Sequence, residues 1–170
     1  MSAINCSCPA HYPQWHRQFL DLGGYCVFKS TLPMFLNMPI SFDFHHHQQT
    51  QQLTALELEE VWPGLCFLKP GFFRGELWRL IKNCDSPARQ VVLLPPTFPV
   101  YAYLHPGDIG NLKPTLANMQ HELLEQGKLP KEIYLAHLTC PLCVEAKNGY
   151  KILVLRRWQP HAGLLKKVSR

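Results

Sequence analysis

The sequence predicts an α+β domain, an antiparallel sheet with two packing helices, and three observations carry that assignment. Val100, Ala102 and Leu104 alternate with Tyr101, Tyr103 and His105, the period of two that marks a strand. Leu112, Leu116, Met119 and Leu123 recur at steps of four, three and four, which lines one face of a helix. Glu132-Ile133-Tyr134-Leu135 then alternates again, so a strand, a helix and a returning strand follow in close succession.

In chain order, Cys6, Cys8 and His11 crowd together, and Trp15, Phe19, Leu20 and Leu22 predict a short helix after Pro13, closed by Gly23-Gly24. Tyr25-Cys26-Val27-Phe28 predicts a strand that stops before Pro33. Residues 33–49, with two prolines and His45-His46-His47, predict a solvated polar loop; adjacent histidines point different ways and make a poor metal trap. Thr50 is placed to cap a helix running to about Val61 with Leu53 and Leu56 inward, yet Leu56-Glu57-Leu58-Glu59 also alternates as a strand. Gly64 to Leu68 is a short buried strand between Pro63 and Pro70. Phe72 to Ile81 fits a helix through Phe73, Leu77 and Leu80, or a strand through its aromatics. Gln90 to Leu94 is a strand ended by Pro95-Pro96.

With the helical choice at 50–61, the chain before Pro95 reads strand, helix, strand, strand. After Pro99 it repeats: strand 100–104, helix 112–126, strand 132–138, strand 150–157. Pro114 falls in the first helical turn, where its missing N–H costs nothing, and Gly127 suits a left-handed exit.

The 170 residues suit one domain with one core, and 46% hydrophobic against 17% charged residues excludes a disordered chain. It divides into an N-terminal extension (1–23), a first half (24–95), a second half (98–158) and a basic tail (159–170). No apolar run reaches the ~20 residues of a membrane span, and the first residues show no secretory pattern. A cytoplasmic setting with reduced thiols follows for the seven cysteines. The +5 charge is partly clustered in Arg156, Arg157, Lys166, Lys167 and Arg170, which implies weak, salt-sensitive contact with nucleic acid at most.

Val-Tyr-Ala-Tyr-Leu-His-Pro-Gly-Asp-Ile (100–109), the helix ending at Gly127, and Pro130-Lys131-Glu132-Ile133-Tyr134 together resemble the C-terminal half of a GyrI-like small-molecule-binding domain. Such domains are the effector-binding parts of AraC-type and MerR-type multidrug regulators. The resemblance spans residues 98–158 and departs at Ile109, where an aromatic is usual. It implies two halves related by a pseudo-twofold, with a ligand groove between them, and a binding role in transcription regulation or ligand sequestration. A hydrolase of the same fold is the enzymatic alternative. No helix-turn-helix shows in the first ninety residues, which points to a stand-alone binder.

Under that resemblance Glu132 and Tyr134 are the leading ligand-binding candidates. A carboxylate beside aromatic rings on one sheet face suits an apolar or cationic molecule, and Tyr101, Tyr103 and Trp78 supply further rings if they turn to the same groove. A separate signal is His137-Leu-Thr-Cys140-Pro-Leu-Cys143. Two cysteines two residues apart offer half of a tetrahedral zinc site, completed by His137 or by Cys6, Cys8 and His11. A zinc-stabilised interaction module using the basic tail is therefore the second functional class. Plain reduced cysteines in a hairpin connection are its simpler counterpart. No nucleophile triad, deaminase motif or glycine-rich phosphate loop is present.

Overall fold

The computed structural model describes residues 6–163. Its elements run β1 (Gln18–Asp21), β2 (Cys26–Phe35), β3 (Met38–Pro39), α1 (Phe42–Ala55), β4 (Phe67–Lys69), β5 (Arg74–Ile81), β6 (Val91–Leu93), β7 (Pro99–His105), a 3-10 turn (Ile109–Asn111), α2 (Leu112–Glu125), β8 (Lys128–His137) and β9 (Ile152–Pro160). Every strand pairing is antiparallel. The sheet order is β1-β7-β9-β8-β4-β5-β2-β3, with β6 beside β2. Each half thus contributes strand, helix, strand, strand, and the two middle strands, β4 and β8, meet at Leu68 and Leu135. The order reads symmetrically outward from that seam, so a pseudo-twofold axis passes between β4 and β8.

Both helices lie on one face of the sheet. α2 packs Leu112, Met119 and Leu123 onto Tyr101, Leu135, Ile152 and Val154, as its apolar stripe requires. Pro114 lies in its first turn, and Gly127 adopts φ 69° just past its end. The opposite face buries Trp78, Phe98, Val100 and Tyr134, and Tyr12, Trp15 and Trp62 pack over it.

α1 is built differently. Residues 33–49 are not the solvated loop their polarity suggests, because the helix starts at Phe42 and carries all three histidines. Its buried residues are His46, Gln49 and Leu53, one face at helical spacing but mostly polar. Strand β5 supplies what the helix lacks. Arg79, only 1% exposed, donates from Nε to Gln49 Oε1 (2.9 Å), and from its two NH groups to the His46 carbonyl (3.0 Å), Thr50 Oγ1 (2.7 Å) and Glu60 (3.2 Å). Gln49 in turn donates to Ser30 and to the Leu77 carbonyl.

Other elements also depart from their local pattern. Residues 18–21 form a strand rather than part of a helix, because β7 offers an open edge and Phe19 stacks on Tyr101. β2 runs through Pro33 to Phe35, its pairing with β5 ending at Pro33, where a missing N–H is tolerated. α1 stops at Ala55, so residues 56–61 are neither helix nor strand beyond one bridge from Glu60 to Ile81. Residues 74–81 resolve as strand. The cysteines are not all reduced: Cys26, register partner of Ile81, is bonded to Cys84 just beyond that strand, with Cα atoms 5.5 Å apart. Among the described residues no helix is long and apolar enough to cross a membrane.

Breaking a buried ion pair from one side costs about 3–5 kcal/mol. Arg79→Met is therefore expected to lower the urea unfolding free energy by about that much, and Gln49→Leu by about 1–3 kcal/mol for the lost hydrogen bonds. A loss below about 1 kcal/mol for Arg79→Met would show that α1 is held by other means.

Candidate functional site

A cavity of about 520 Å3 opens on the helix-bearing face, over the seam between the halves. Ligand pockets are usually about 300–1,000 Å3. Leu68 and Leu135, the pair that joins β4 to β8, contribute to its floor. The first half lines it with Phe42 and His46 of α1, the second half with Asp108 and Ile109 ahead of α2. Asp43, Asp108 and Lys151 are its charged side chains. Asp108 also caps the 3-10 turn by accepting from the Gly110 N–H at 2.9 Å. His46 is 8% exposed, and its pKa falls to about 4 because burial, then the Arg79 charge, penalises the imidazolium.

At one end of this groove, Cys6 and Cys8 meet Cys140 and Cys143. All four sulfurs lie within 4.8 Å of one another, and Cys8 and Cys140 also line the cavity. The Cys140–Cys143 turn brings its two sulfurs to 3.8 Å, and the Cys140 N–H points at Cys143 Sγ (3.3 Å). Burial raises the Cys8 thiol, and its thiol neighbours raise it further. For Cys140 burial acts upward too, but hydrogen bonds from the Leu142 and Cys143 backbone and from the Cys8 and Cys143 thiols together bring the pKa to about 7. Such a sulfur cluster can hold a soft or borderline cation. His137 stands outside the cluster and faces the groove. Among the described residues, neither His11 nor any other histidine joins the sulfurs.

The residues expected to bind ligand are divided between the two faces. Trp78 and Tyr134 come together on the face without helices, ring centroids 4.8 Å apart, with Phe98 beside them and a gap of only about 20 Å3 among the rings. Tyr101 and Tyr103 point to the other face. Tyr101 donates to Glu122 on α2, and Tyr103 packs on His16. Glu132 lies at the strand bulge near Pro130, half-exposed, with Arg157 at 3.5 Å and its Oε2 buried without a partner. Glu132 is therefore not a free carboxylate: β9 presents Arg157 to it, the same guanidinium that sits 4.5 Å over Phe98. Arg156 is half-buried within β9 as well, while Lys166, Lys167 and Arg170 lie outside the described residues. Phe42 and His46 were missed because α1 has no apolar periodicity to betray it. Cys6 and Cys8 were visible as a close pair.

Among solved structures, the chain is similar to the EcmrR C-terminal domain, with a TM-score of 0.62 and 11% identity over 84% of this chain and 96% of that one. It is also similar to the EcmrR chain of a cryo-EM EcmrR–DNA complex, with a TM-score of 0.59 and 9% identity, spanning 57% of that longer chain. At such identity the likeness is one of fold. The fold implied by the GyrI-like resemblance, an antiparallel sheet carrying two helices in two matching halves, is the fold found. No protein-family model and no curated protein sequence matches the chain.

The buried imidazole gives the groove wall a pH dependence of known sign. His46 titrates near 6.5 when unfolded and at about 4 when folded, so protons favour the unfolded chain between those values. Its contribution is complete above pH 6.5 and is lost as pH falls through 4. Wild type should therefore lose Tm relative to His46→Phe over this window. A difference between the two that stays constant with pH would contradict the assignment.

Proposed function

We propose that the chain is a GyrI-like binding domain that holds a compact, largely apolar, cationic molecule in the groove between its halves. The observation that carries this reading is the 520 Å3 cavity on the seam, with an apolar floor and a wall from each half. Among the described residues, the carboxylates of Asp43 and Asp108 line it against one lysine, Lys151, and Phe42 adds an aromatic ring. Burial of the ligand's apolar surface provides the affinity and the acidic rim selects its charge. The resemblance implies sensing of several such molecules within transcription regulation, or sequestering them. Five cysteines are free, as a cytoplasmic setting favours, although the Cys26–Cys84 disulfide runs against it.

A second location has its own support. Tyr134, packed with Trp78 and Phe98, lies two residues from Glu132, whose Oε1 meets Arg157 and whose Oε2 is buried without a protein partner, an oxygen that a cationic ligand could pair with if the rings parted. One titration separates the two, using a lipophilic cationic dye that brightens in apolar surroundings. Ile109 is 58% exposed at the groove, so Ile109→Trp fills the mouth without disturbing the core. It should weaken the dye by about tenfold, or ~1.4 kcal/mol, while Glu132→Gln leaves binding unchanged. The opposite pattern would move the site to the aromatic face. No saturable binding by wild type, with no small molecule found by native mass spectrometry, would remove the function.

A further inference from the structure

We propose that Cys6, Cys8, Cys140 and Cys143 form a tetrahedral zinc site that pins the N-terminal segment to the turn between β8 and β9. The four come from opposite ends of the sequence, yet their sulfurs converge within 4.8 Å. Zinc–sulfur bonds of about 2.3 Å set the edges of a regular tetrahedron at about 3.8 Å. The Cys140–Cys143 separation is 3.8 Å, with the Cys140 N–H directed at the Cys143 sulfur as a thiolate acceptor requires. Sulfurs this close enclose one ion and leave no room for an iron–sulfur cluster, which interposes several atoms between its thiolates.

The surroundings fit a structural site. Lys147 follows the turn and donates to the Pro9 carbonyl (2.9 Å) and the Leu138 carbonyl (3.3 Å), tying the same two segments together beside the sulfurs. Its ammonium partly offsets the net −2 charge that four thiolates leave on a divalent ion. Gly64, at φ 83°, lets the chain pass against Ser7 and Pro9, where a Cβ would meet Pro9 at 3.3 Å. All four positions are taken by sulfur, and closed all-thiolate coordination marks a structural zinc rather than a catalytic one. The geometry excludes His137 from the coordination sphere, leaving it free to face the groove.

The consequence reaches across the molecule. Beyond Cys8 the chain lays Tyr12 and Trp15 over the sheet face without helices and then becomes β1. Metal binding to the folded state alone stabilises that arrangement by mass action. Loss of zinc frees the segment, uncovers Trp15 and opens one end of the groove. The site stands on sulfur geometry and does not depend on what the groove binds.

The test is elemental analysis of the full chain purified without chelator. One zinc per chain is expected, and Cys8→Ser and Cys143→Ser each abolish it while His137→Ala retains it. Replacing zinc with cobalt in wild type should give thiolate-to-cobalt charge transfer and the intense visible bands of a tetrahedral site. Zinc removal should lower Tm and shift tryptophan emission to the red, with readdition reversing both. Wild type that is metal-free and takes up neither ion, carries a Cys140–Cys143 disulfide when fresh, or holds iron instead would overturn the proposal. The wild-type measurements decide it even if the serine variants fail to fold.

Discussion

The buried guanidinium of Arg79 is the interaction on which the first half of the molecule depends. Helix α1 has no apolar stripe with which to hold itself to a sheet, and burying a polar face is unfavourable unless its groups are paired. Arg79 meets that requirement because its planar fork reaches several acceptors at once. One is a side-chain amide, one a hydroxyl, one a backbone carbonyl of the helix itself. Glu60 neutralises the charge and is delivered by a bridge to Ile81, two residues along the strand from Arg79. Hydrogen bonds are directional where apolar contact is not, so this network places α1 in one position. That position sets where Phe42 and His46 stand, and hence one wall of the groove.

The two halves therefore solve one packing problem in two ways. α2 is attached chiefly by Leu112, Met119 and Leu123 on an apolar surface, with the Tyr101–Glu122 hydrogen bond beside it. α1 is attached through a charged network whose neighbour His46 is kept neutral by burial down to about pH 4. The groove lies between a helix held chiefly by apolar contact and one held by a buried charged network. The central pair Leu68 and Leu135 joins the halves, so a molecule resting there contacts both.

The N-terminal segment closes the molecule in three places. Its cysteines meet the β8–β9 turn at the end of the groove, its aromatics cover the far face, and β1 seals the outer edge of β7. The Trp78, Phe98 and Tyr134 cluster is consequently filled by the protein's own rings. Space for a ligand is found over the seam on the opposite face instead.

What the sequence by itself determined is chiefly the second half. β7, α2 and β8 announce themselves through side chains that alternate or recur at helical spacing, because apolar burial there follows the local period. The repeat of strand, helix, strand and strand was legible as element order, although the first helix was placed eight residues late. Tertiary structure alone decided α1, whose polar residues acquire their reason only when Arg79 arrives from a strand thirty residues away. It alone decided that Trp78 and Tyr134 share a face while Tyr101 and Tyr103 take the other, since strand parity relates neighbours only once register is set. The sequence showed two close cysteine pairs. Their convergence needed the chain to bring its beginning against a turn near its end, and no local period encodes a contact over that separation.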